Sequence, residues 1–326
     1  MHILITGGSG LIGQALTHSF LSEGHRVSWL SRTTKTRIPE RFHSYRNSFQ
    51  IIPWLYAGAE PEKTLMQTGV PDIVIHLAGT SINASRWSKA HKEAILTSRI
   101  TTTETLLDIL QKLPYLPTLY INASALEASR PLPHPVNVES PLSELIETGK
   151  HFYGLDYLTF VTRVWEGRAN RAKALGMRTV YARFGIVFSR EGGALPELVR
   201  PVRLYAGGPI AGGRQVLSWV HIADVVGMLR WAIDHESIQG PLHIAAPEPA
   251  TNAHVTQTIA RLLKRPYWFP IPKAALKLIL GEMSALVTEG YEQKPVEALA
   301  LGYPFHFPTL ETALEDLLIH KHEKEG

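Results

Sequence analysis

Glycines at three-residue intervals follow the first apolar segment of the sequence. The run from His2 to Thr6 is short, apolar and followed at once by glycine, which predicts a buried strand. Gly7, Gly10 and Gly13 come next. Gly7 suits a tight turn, Gly10 lets the backbone approach a pyrophosphate, and Gly13 lets a helix lie close to the strand. This spacing predicts a dinucleotide-binding loop, and a glycine-rich loop without a ligand is the alternative.

The residues from Leu11 onward have the apolar periodicity of an amphipathic helix. A helix N-terminus presents free backbone N–H groups and the positive end of the helix dipole to an anion. A strand before the glycines and a helix after them are the context that a phosphate-binding loop requires. We therefore expect contacts to a dinucleotide from Thr6, Gly7, Gly10, Leu11, Ile12 and Gly13.

Most of the net positive charge lies directly after the predicted second strand, residues 26–30. The formal net charge is +4, and the window 31–46 accounts for it with five basic residues and one acid. In dinucleotide folds an acid here binds the ribose 2′-hydroxyl of NAD, whereas an arginine accommodates the 2′-phosphate of NADP. Arg32 is the phosphate candidate, with Lys35 or Arg37 in support, because no acid precedes them in this window. A solvated basic loop is the alternative.

The composition is that of an ordinary globular protein, with 44% hydrophobic and 19% charged residues. There is no apolar run of about eighteen residues, so we expect no membrane span. The absence of cysteine excludes disulfides and thiol chemistry. A strand that starts at residue 2 leaves no room for a signal peptide, so we expect a cytoplasmic location. The histidines show no convincing metal-binding pattern, and His320 and His322 lie in a charged tail.

Predicted strands alternate with predicted helices along the first part of the chain. After the first two strands we expect further strands at 49–53, within 72–79, and at 118–123, 179–188 and 241–245. We expect helices at about 61–68, up to about 112, and at about 155–175. This alternation predicts an α/β fold built on a doubly wound parallel sheet.

Glycine and proline become dense after residue 188, which predicts a smaller C-terminal lobe. We expect a cofactor-binding domain from 1–188 with 217–246, a substrate lobe from 189–216 with 247–319, and a tail at 320–326. The segment 215–224 is expected to open a helix, which His221 caps or braces; a catalytic role for His221 is the alternative.

Small and then polar residues follow the predicted fourth strand. Its exit at 77–79 would let a cofactor ribose pass closely. Arg86, Trp87 and Lys92 come soon after, and such residues near the carboxyl end of a strand suit a ligand crevice. A surface ion-pair network is the alternative.

The chain resembles an extended, atypical short-chain dehydrogenase/reductase, within the group named epimerase family proteins. The residues that carry the resemblance span nearly the whole chain in order: 6–13, Arg86, Trp87, Lys92, Ser98, Arg99, 183–187, Gln215, Ser218, Trp219, His221, Asp224, 246–252, 280–282, 293–295, Gly302, Phe305 and Phe307. The resemblance implies a Rossmann domain, NADP(H) binding and a C-terminal lobe whose substrate is undefined.

The chain departs from that superfamily at the catalytic pair. Ordinary members use a tyrosine and a lysine four residues later, and the lysine lowers the phenol pKa so that it can exchange a proton. None of the eleven tyrosines here has lysine at that spacing. Tyr153 and Tyr157 lie in the corresponding region, and Ser124 is retained after the fifth strand. Glu127 is a further nearby substitute for the missing base.

Two functions remain open on this basis. The first is an NADP(H)-dependent, epimerase-like oxidoreductase acting on an unknown small polar molecule between the lobes. The second is an NADP(H)-binding module or redox sensor that has lost the proton-transfer pair. We favour the enzyme narrowly, as a monomer or homodimer with no nucleic-acid or membrane partner.

The candidate site residues follow from both arguments, and no metal site is expected. Catalysis is assigned to Ser124, Tyr157 and Tyr153. Cofactor contacts are assigned to Thr6, Gly7, Gly10, Leu11, Ile12, Gly13, Ser31, Arg32, Leu77, Ala78, Gly79, Ser98 and Arg183. The substrate crevice is assigned to Arg86, Trp87, Lys92, Gln215, Ser218 and His221.

Overall fold

The computed structural model describes residues 1–319. Its strands are β1 (His2–Thr6), β2 (Arg26–Ser31), β3 (Phe49–Pro53), β4 (Ile73–His76), β5 (Leu119–Ala125), β6 (Arg178–Phe184), β7 (Ile186–Phe188), β8 (Val216–Leu217), β9 (Trp219–His221), β10 (Gly240–Ile244) and β11 (Ala250–Thr251). Its helices are α1 (Leu11–Ser22), α2 (Pro61–Thr68), α3 (Lys89–Gln111), α4 (Leu142–Gly149), α5 (Gly154–Ala174), α6 (Leu195–Arg203), α7 (Ile222–Asp234), α8 (Asn252–Leu262), α9 (Lys273–Leu280), α10 (Ala285–Thr288), α11 (Val296–Ala300) and α12 (Leu310–Leu318).

A seven-stranded sheet has the order β10-β6-β5-β4-β1-β2-β3. The strands β3, β2, β1, β4 and β5 pair in parallel, and Ile5 lies opposite Trp29 on one side and Ile75 on the other. The chain builds outward from β1 through β2 and β3 and then crosses back to β4. That reversal creates a switch point between β1 and β4, where open α/β sheets bind ligands. The predicted doubly wound sheet is confirmed.

The first of two compact units comprises Met1–Phe152, Asp156–Ala182 and Ala232–Leu242. β1 is buried along its whole length, as expected of a central parallel strand with both faces covered. The core of this unit includes Leu4, Val74, Leu106, Leu110 and Tyr120, none of which is exposed to solvent. This core holds the strand ends of the switch point in fixed positions.

The second unit comprises Tyr153–Leu155, Arg183–Trp231 and the described residues from His243 onward. It contains two small sheets, the parallel pair β7 and β9 and the antiparallel pair β8 and β11. Phe188 and Trp219 stack at the centre of its core, with ring centroids 5.8 Å apart. Helices α8 and α12 contribute Val255, Ile259 and Leu314 to the same cluster.

The structure corrects two predictions about elements. The sixth strand, predicted over 179–188, is interrupted at Gly185, and its second part pairs with β9 instead of continuing the large sheet. A Cβ at Gly185 would lie 2.4 Å from the Ser218 carbonyl oxygen, so only glycine lets the chain pass there. The segment 215–224, predicted to open a helix, first forms β8 and β9.

The two compact units are defined by how their residues pack together. They do not test the predicted domain boundaries, which stay a prediction. Helix α4, which begins directly after Pro141, was not predicted. The predicted tail at 320–326, with His320 and His322, lies outside the described residues.

Candidate functional site

The glycine loop is a close-packed turn that leaves one position open. Gly7 has φ +70°, and a Cβ there would lie 2.8 Å from the backbone of Leu77. A Cβ at Gly13 would lie 2.6 Å from the Gly7 carbonyl oxygen. At Gly10, apart from its two chain neighbours, that same oxygen is the one atom of residues 1–319 within 4 Å of a Cβ, at 3.2 Å. A side chain at Gly10 would therefore fill the space in front of the loop, which a pyrophosphate fits.

The N-terminus of α1 lacks a side chain that would satisfy its free N–H groups. Gly10 is the N-cap, it offers no side-chain hydrogen bond, and the first turn contains no acid. The Gly10 N–H donates to the Gly7 carbonyl at 3.0 Å, which fixes the turn. Leu11 and Ile12 begin the helix that directs its positive dipole end towards this space.

Gly8 is required by Trp29, a role that the sequence did not reveal. A Cβ at Gly8 would lie 2.4 Å from the indole ring. The Trp29 Nε1 donates to the Thr17 hydroxyl at 2.7 Å, so the buried ring is fixed between β2 and α1. The glycine loop therefore packs against an indole ring that is held in place.

A buried hydrogen-bond chain joins the ends of β1 and β4 to α3 and α5. The Thr103 hydroxyl donates to the Arg99 carbonyl at 2.7 Å, so it can only accept from His76 Nε2, at 3.0 Å, and from Trp165 Nε1, at 3.0 Å. Burial, together with the Arg99 charge, lowers the pKa of His76 to about 3, so the ring is neutral. Its Nδ1 therefore accepts from the Thr6 hydroxyl at 2.6 Å.

The Thr6 side chain makes hydrogen bonds within the protein. Its Oγ1 also accepts the Ala78 N–H at 3.2 Å, which ties the exit of β4 to the end of β1. The neighbouring Thr80 N–H donates to the Ser98 hydroxyl at 2.9 Å. Leu77, Ala78 and Gly79 are therefore held by the side chains of Thr6 and Ser98.

Arg99 lies directly beneath this exit. A Cβ at Gly79 would lie 3.2 Å from its guanidinium carbon. Its Nη1 donates to the Thr80 and Ile95 carbonyls, and its guanidinium lies 4.9 Å from the Trp165 ring centroid. Burial lowers its pKa to about 10, so it stays charged at neutral pH. Arg99 has no carboxylate within salt-bridge distance among residues 1–319.

The end of β2 presents basic side chains to solvent. Ser31 is half-buried, and its hydroxyl lies 2.5 Å from that of Thr36, which folds the following loop back on the strand. Arg32, Lys35 and Arg37 are exposed. Within the described part of the chain, these three side chains form no hydrogen bond or ion pair.

Arg41 adds a cation beside the glycine loop that sequence reasoning did not assign. Its Nη2 donates to the Gln14 side-chain oxygen, and the Gln14 amide donates to the Ser9 carbonyl at 2.8 Å. The guanidinium therefore lies at the first turn of α1. The only sequence signal was its place in the basic window.

Ser124 and Glu166 form a hydrogen-bonded pair at the end of β5. Ser124 is buried, and its hydroxyl donates to Glu166 Oε1 at 2.6 Å. Glu166 lies half-buried on α5, one residue after Trp165. Sequence reasoning missed Glu166, because 42 residues separate the partners. The available signal was an acid within the apolar part of a helix.

Tyr157 and Lys92 are adjacent but differ from the usual tyrosine–lysine pair. The Tyr157 hydroxyl donates to the Lys92 backbone carbonyl. Lys92 Nζ donates to the Phe152 carbonyl at 2.9 Å and lies 4.3 Å from the Tyr157 ring centroid. Trp87 packs edge-on against Tyr157 at 5.9 Å. The Tyr157 phenol is therefore hydrogen-bonded to a backbone carbonyl.

The remaining candidates Arg86, Glu127 and Tyr153 differ in their exposure. Arg86 is exposed. Burial raises the pKa of Glu127, and the positive charge of Arg130 offsets part of that increase. Tyr153, assigned to the second unit, is 67% exposed. The structure therefore brings Ser124, Tyr157 and Lys92 into buried networks and leaves Tyr153 and Arg86 at the surface.

The other predicted crevice residues belong to the second unit, as does Arg183 of β6. Ser218 donates to the Tyr291 carbonyl at 3.0 Å and accepts the Gln293 N–H at 2.9 Å. Gln215 donates to the carbonyls of Ile210 and Val287.

His221 braces its helix. Its Nδ1 accepts the Ala223 N–H at 3.0 Å, and its ring stacks on Phe307 at 3.8 Å. Its Nε2 lies 3.2 Å from the carboxylate of Asp316. These contacts, like those of Ser218 and Gln215, hold the C-terminal segment.

The part of the chain that the structure describes, residues 1–319, contains no cluster of three or more histidine or acidic side chains able to hold a metal ion. None of its helices is long and apolar enough to cross a bilayer.

Comparisons with known proteins agree with this geometry. Residues 3–245 match the NAD dependent epimerase/dehydratase family, and residues 271–317 match a domain of unknown function, DUF1731. The epimerase family protein YfhF of Bacillus subtilis is 36% identical over 98% of both chains. An epimerase family protein of Staphylococcus epidermidis is 34% identical over 97% of this chain and 98% of its own.

Solved structures give the same result. The human epimerase family protein SDR39U1, crystallised with NADPH, superposes with a TM-score of 0.77 and is 30% identical, covering 97% of this chain and 99% of its own. The UDP-glucuronic acid 4-epimerase of Bacillus cereus, 17% identical with a TM-score of 0.71, shares the fold. The resemblance identified from the sequence is confirmed: the chain belongs to the NAD dependent epimerase/dehydratase family, among the epimerase family proteins.

Proposed function

We propose that the chain binds NADP(H) at the glycine loop and serves as an oxidoreductase of the epimerase-like type on a small polar substrate. The open space at Gly10, in front of the uncapped N-terminus of α1, carries this proposal. Backbone N–H groups and the helix dipole would bind the pyrophosphate there. The human relative crystallised with NADPH supports the same cofactor for this chain.

The charges at the end of β2 support NADP(H) over NAD(H). The side chains of Arg32, Lys35 and Arg37 are exposed and unpaired within residues 1–319, and residues 27–39 contain no acid. Arg41 adds a further cation at the first turn of α1. A 2′-phosphate would gain charge-assisted hydrogen bonds from such arginines, whereas a 2′-hydroxyl would lack an acidic partner.

The bound cofactor would supply hydride chemistry, and the chain's residues would position it. The glycine loop and Arg32 would hold its phosphates. Leu77, Ala78 and Gly79, fixed by Thr6 and Ser98, would form the wall past which its ribose runs. The end of β5 then places Ser124 at the same carboxyl edge of the sheet.

Calorimetric titration of the protein with NADPH and with NADH tests the cofactor assignment. A charge-assisted bond contributes roughly 1.5–3 kcal/mol, which corresponds to about a tenfold or greater preference for NADPH. Arg32→Ala should reduce this preference, and Arg46→Ala, an exposed arginine of the same window, should leave it unchanged. Equal affinities for both cofactors in the wild-type protein would contradict the proposal.

A catalytically degenerate NADP(H)-binding module is the second candidate. The bond from the Tyr157 phenol to the Lys92 carbonyl favours it, because the phenolic proton is directed to a backbone carbonyl and the Lys92 ammonium lies over the ring instead of donating to the phenol oxygen. We therefore expect no ordinary sugar-nucleotide epimerase activity from a tyrosine base. Incubating the NADP(H)-loaded protein with nucleotide sugars and simple carbonyl compounds separates the candidates, because the module should convert none. The cytoplasmic location, the oligomeric state and the absence of nucleic-acid partners stay predictions of the sequence.

A further inference from the structure

We propose that Ser124 and Glu166 form a proton relay that takes the place of the missing tyrosine–lysine pair, and that the group facing this relay is a substrate hydroxyl. This inference rests on the proposed NADP(H)-dependent function. The first support is the hydrogen bond itself, in which the buried Ser124 hydroxyl donates to Glu166 Oε1 at 2.6 Å.

The donor and acceptor capacity of serine limits what Ser124 can face. A serine hydroxyl has one proton and two lone pairs. With that proton directed to the Glu166 carboxylate, Ser124 Oγ can only accept from a ligand. A carbonyl oxygen cannot donate, whereas an alcohol can. The pair in this protonation state is therefore complementary to an alcohol.

The register of the sheet places the pair at the edge where the cofactor site lies. β4 and β5 are parallel, and His76 is opposite Asn122. Continuing that register by two residues places Ser124 level with Ala78, in the exit that Thr6 fixes. A group held by Ser124 would thus lie at the carboxyl ends of β4 and β5, beside the switch point.

Atoms and electrons balance when an alcohol is oxidised through this relay. The carbinol C–H bond breaks and its hydride goes to NADP⁺, while the O–H bond breaks and a C=O bond forms. The hydroxyl proton passes to Ser124 Oγ as the Ser124 proton passes to the Glu166 carboxylate. The alcohol is oxidised to a carbonyl compound and NADP⁺ is reduced to NADPH. Reduction of the carbonyl is the reverse, starting from protonated Glu166.

The other proton-transfer candidates are less well placed for this task. The Tyr157 hydroxyl is committed to the Lys92 carbonyl. Tyr153 is largely exposed. The Ser124 hydroxyl, by contrast, is hydrogen-bonded to a carboxylate.

Substitutions that keep the shape of the pair test the relay. Glu166→Gln can still accept the Ser124 proton through its amide oxygen as a hydrogen bond, but it cannot take up that proton. With secondary alcohols and nucleotide sugars as probes and NADP⁺ as oxidant, we expect kcat to fall about 10²–10⁴-fold in Glu166→Gln and Ser124→Ala. Glu166→Asp should recover part of the loss. Glu93→Gln, an exposed acid on α3, should keep wild-type turnover.

Two measurements without turnover separate the relay from the cofactor assignment. Calorimetry should give wild-type NADPH affinity in all these variants. A double-mutant cycle on unfolding of the cofactor-free protein, with Ser124→Ala and Glu166→Ala, should give a coupling of about tenfold in the unfolding equilibrium, as expected of a hydrogen bond to a charged group.

Three results would overturn the relay. The first is undiminished kcat in Glu166→Gln, and the second is additive unfolding effects in the cycle. The third is a wild-type protein that binds NADP⁺ but oxidises none of the alcohols. Failure of the wild-type protein to bind either form of the cofactor would instead overturn the proposed function.

Discussion

The phenol of Tyr157 donates its proton to the backbone carbonyl of Lys92. The ammonium of the same lysine donates to the Phe152 carbonyl and lies over the Tyr157 ring. A tyrosine and a lysine are therefore neighbours in space without the sequence spacing of the usual catalytic pair. In this arrangement they fasten α3 to the start of α5, and each polar atom has a backbone partner.

Tyr157→Phe should consequently act on stability. Removing the phenol leaves the Lys92 carbonyl without this donor, which should lower the free energy of unfolding by about 1 kcal/mol. We expect NADPH affinity and kcat to stay at wild-type values. Urea unfolding and steady-state rates measure both effects, with the exposed Tyr115→Phe as the matched control. Loss of turnover at unchanged stability would return Tyr157 to the chemistry.

The neutral histidines of the first unit should make its stability depend on pH. The pKa of His76 is lowered by burial to about 3, and that of His2, also by burial, to about 4. Between these values and about 6.5, the unfolded chain binds protons that the folded chain does not, so stability is complete above about 6.5 and falls as the pH falls. From pH 7.5 to 5.5, each histidine should remove about 1.4 kcal/mol.

His76→Gln tests this linkage while conserving the hydrogen bonds. A glutamine amide can donate to Thr103 and accept from Thr6 in place of the ring. Chemical denaturation at both pH values should show a smaller difference in the variant than in the wild-type protein. The exposed His134→Gln should change nothing. An unchanged pH dependence in His76→Gln would mean that the pKa of this ring is the same in the folded and the unfolded protein.

Local sequence patterns predicted the central sheet well. The bounds of β1, β3 and α2 agree with the predictions to the residue. Gly7 follows β1, Pro53 ends β3, and Pro61 and Gly69 delimit α2. Such residues end an element by their own backbone limits, so short-range information suffices. The doubly wound parallel sheet was predicted from the alternation of strands and helices, whereas the order of its strands was not predicted.

The break at Gly185 and the pair Ser124–Glu166 could not be predicted in the same way. The residues on both sides of Gly185 have high β propensity, and the carbonyl of Ser218 that Gly185 must pass is supplied by a distant part of the chain. The residues around Glu166 predict a helix, and they do not indicate that its side chain contacts β5. Both features depend on long-range packing, which one sequence does not display.

The glycine loop offers a contrast between two of its positions. Gly10 has φ −78°, a value open to any residue, so the loop needs it for its missing side chain. Gly10→Val should keep the fold, at a cost of about 1 kcal/mol for the weaker N-cap, and abolish detectable NADPH binding. Gly13→Val should instead unfold the protein, because its Cβ would lie 2.6 Å from backbone. Circular dichroism and calorimetry distinguish the two, and normal binding by Gly10→Val would show that the phosphates lie elsewhere.

Asp224 anchors the C-terminal segment of the second unit. Its carboxylate accepts the His306 N–H at 2.8 Å, the Phe307 N–H at 2.9 Å and the Tyr303 hydroxyl at 3.3 Å. Burial and this carboxylate together raise the pKa of Tyr303, so the phenol remains a donor.

Asp224→Asn should therefore destabilise the second unit. The amide has one acceptor oxygen and turns an NH₂ group towards at least one backbone donor, which should cost about 1–3 kcal/mol because a buried group loses its partner. Urea unfolding should show this loss, and hydrogen exchange should show faster exchange at the amides of His306 and Phe307. Asp234→Asn, an exposed acid at the end of the same helix, should change neither. If the two amides kept their protection in Asp224→Asn, the carboxylate would not be what holds this segment to α7.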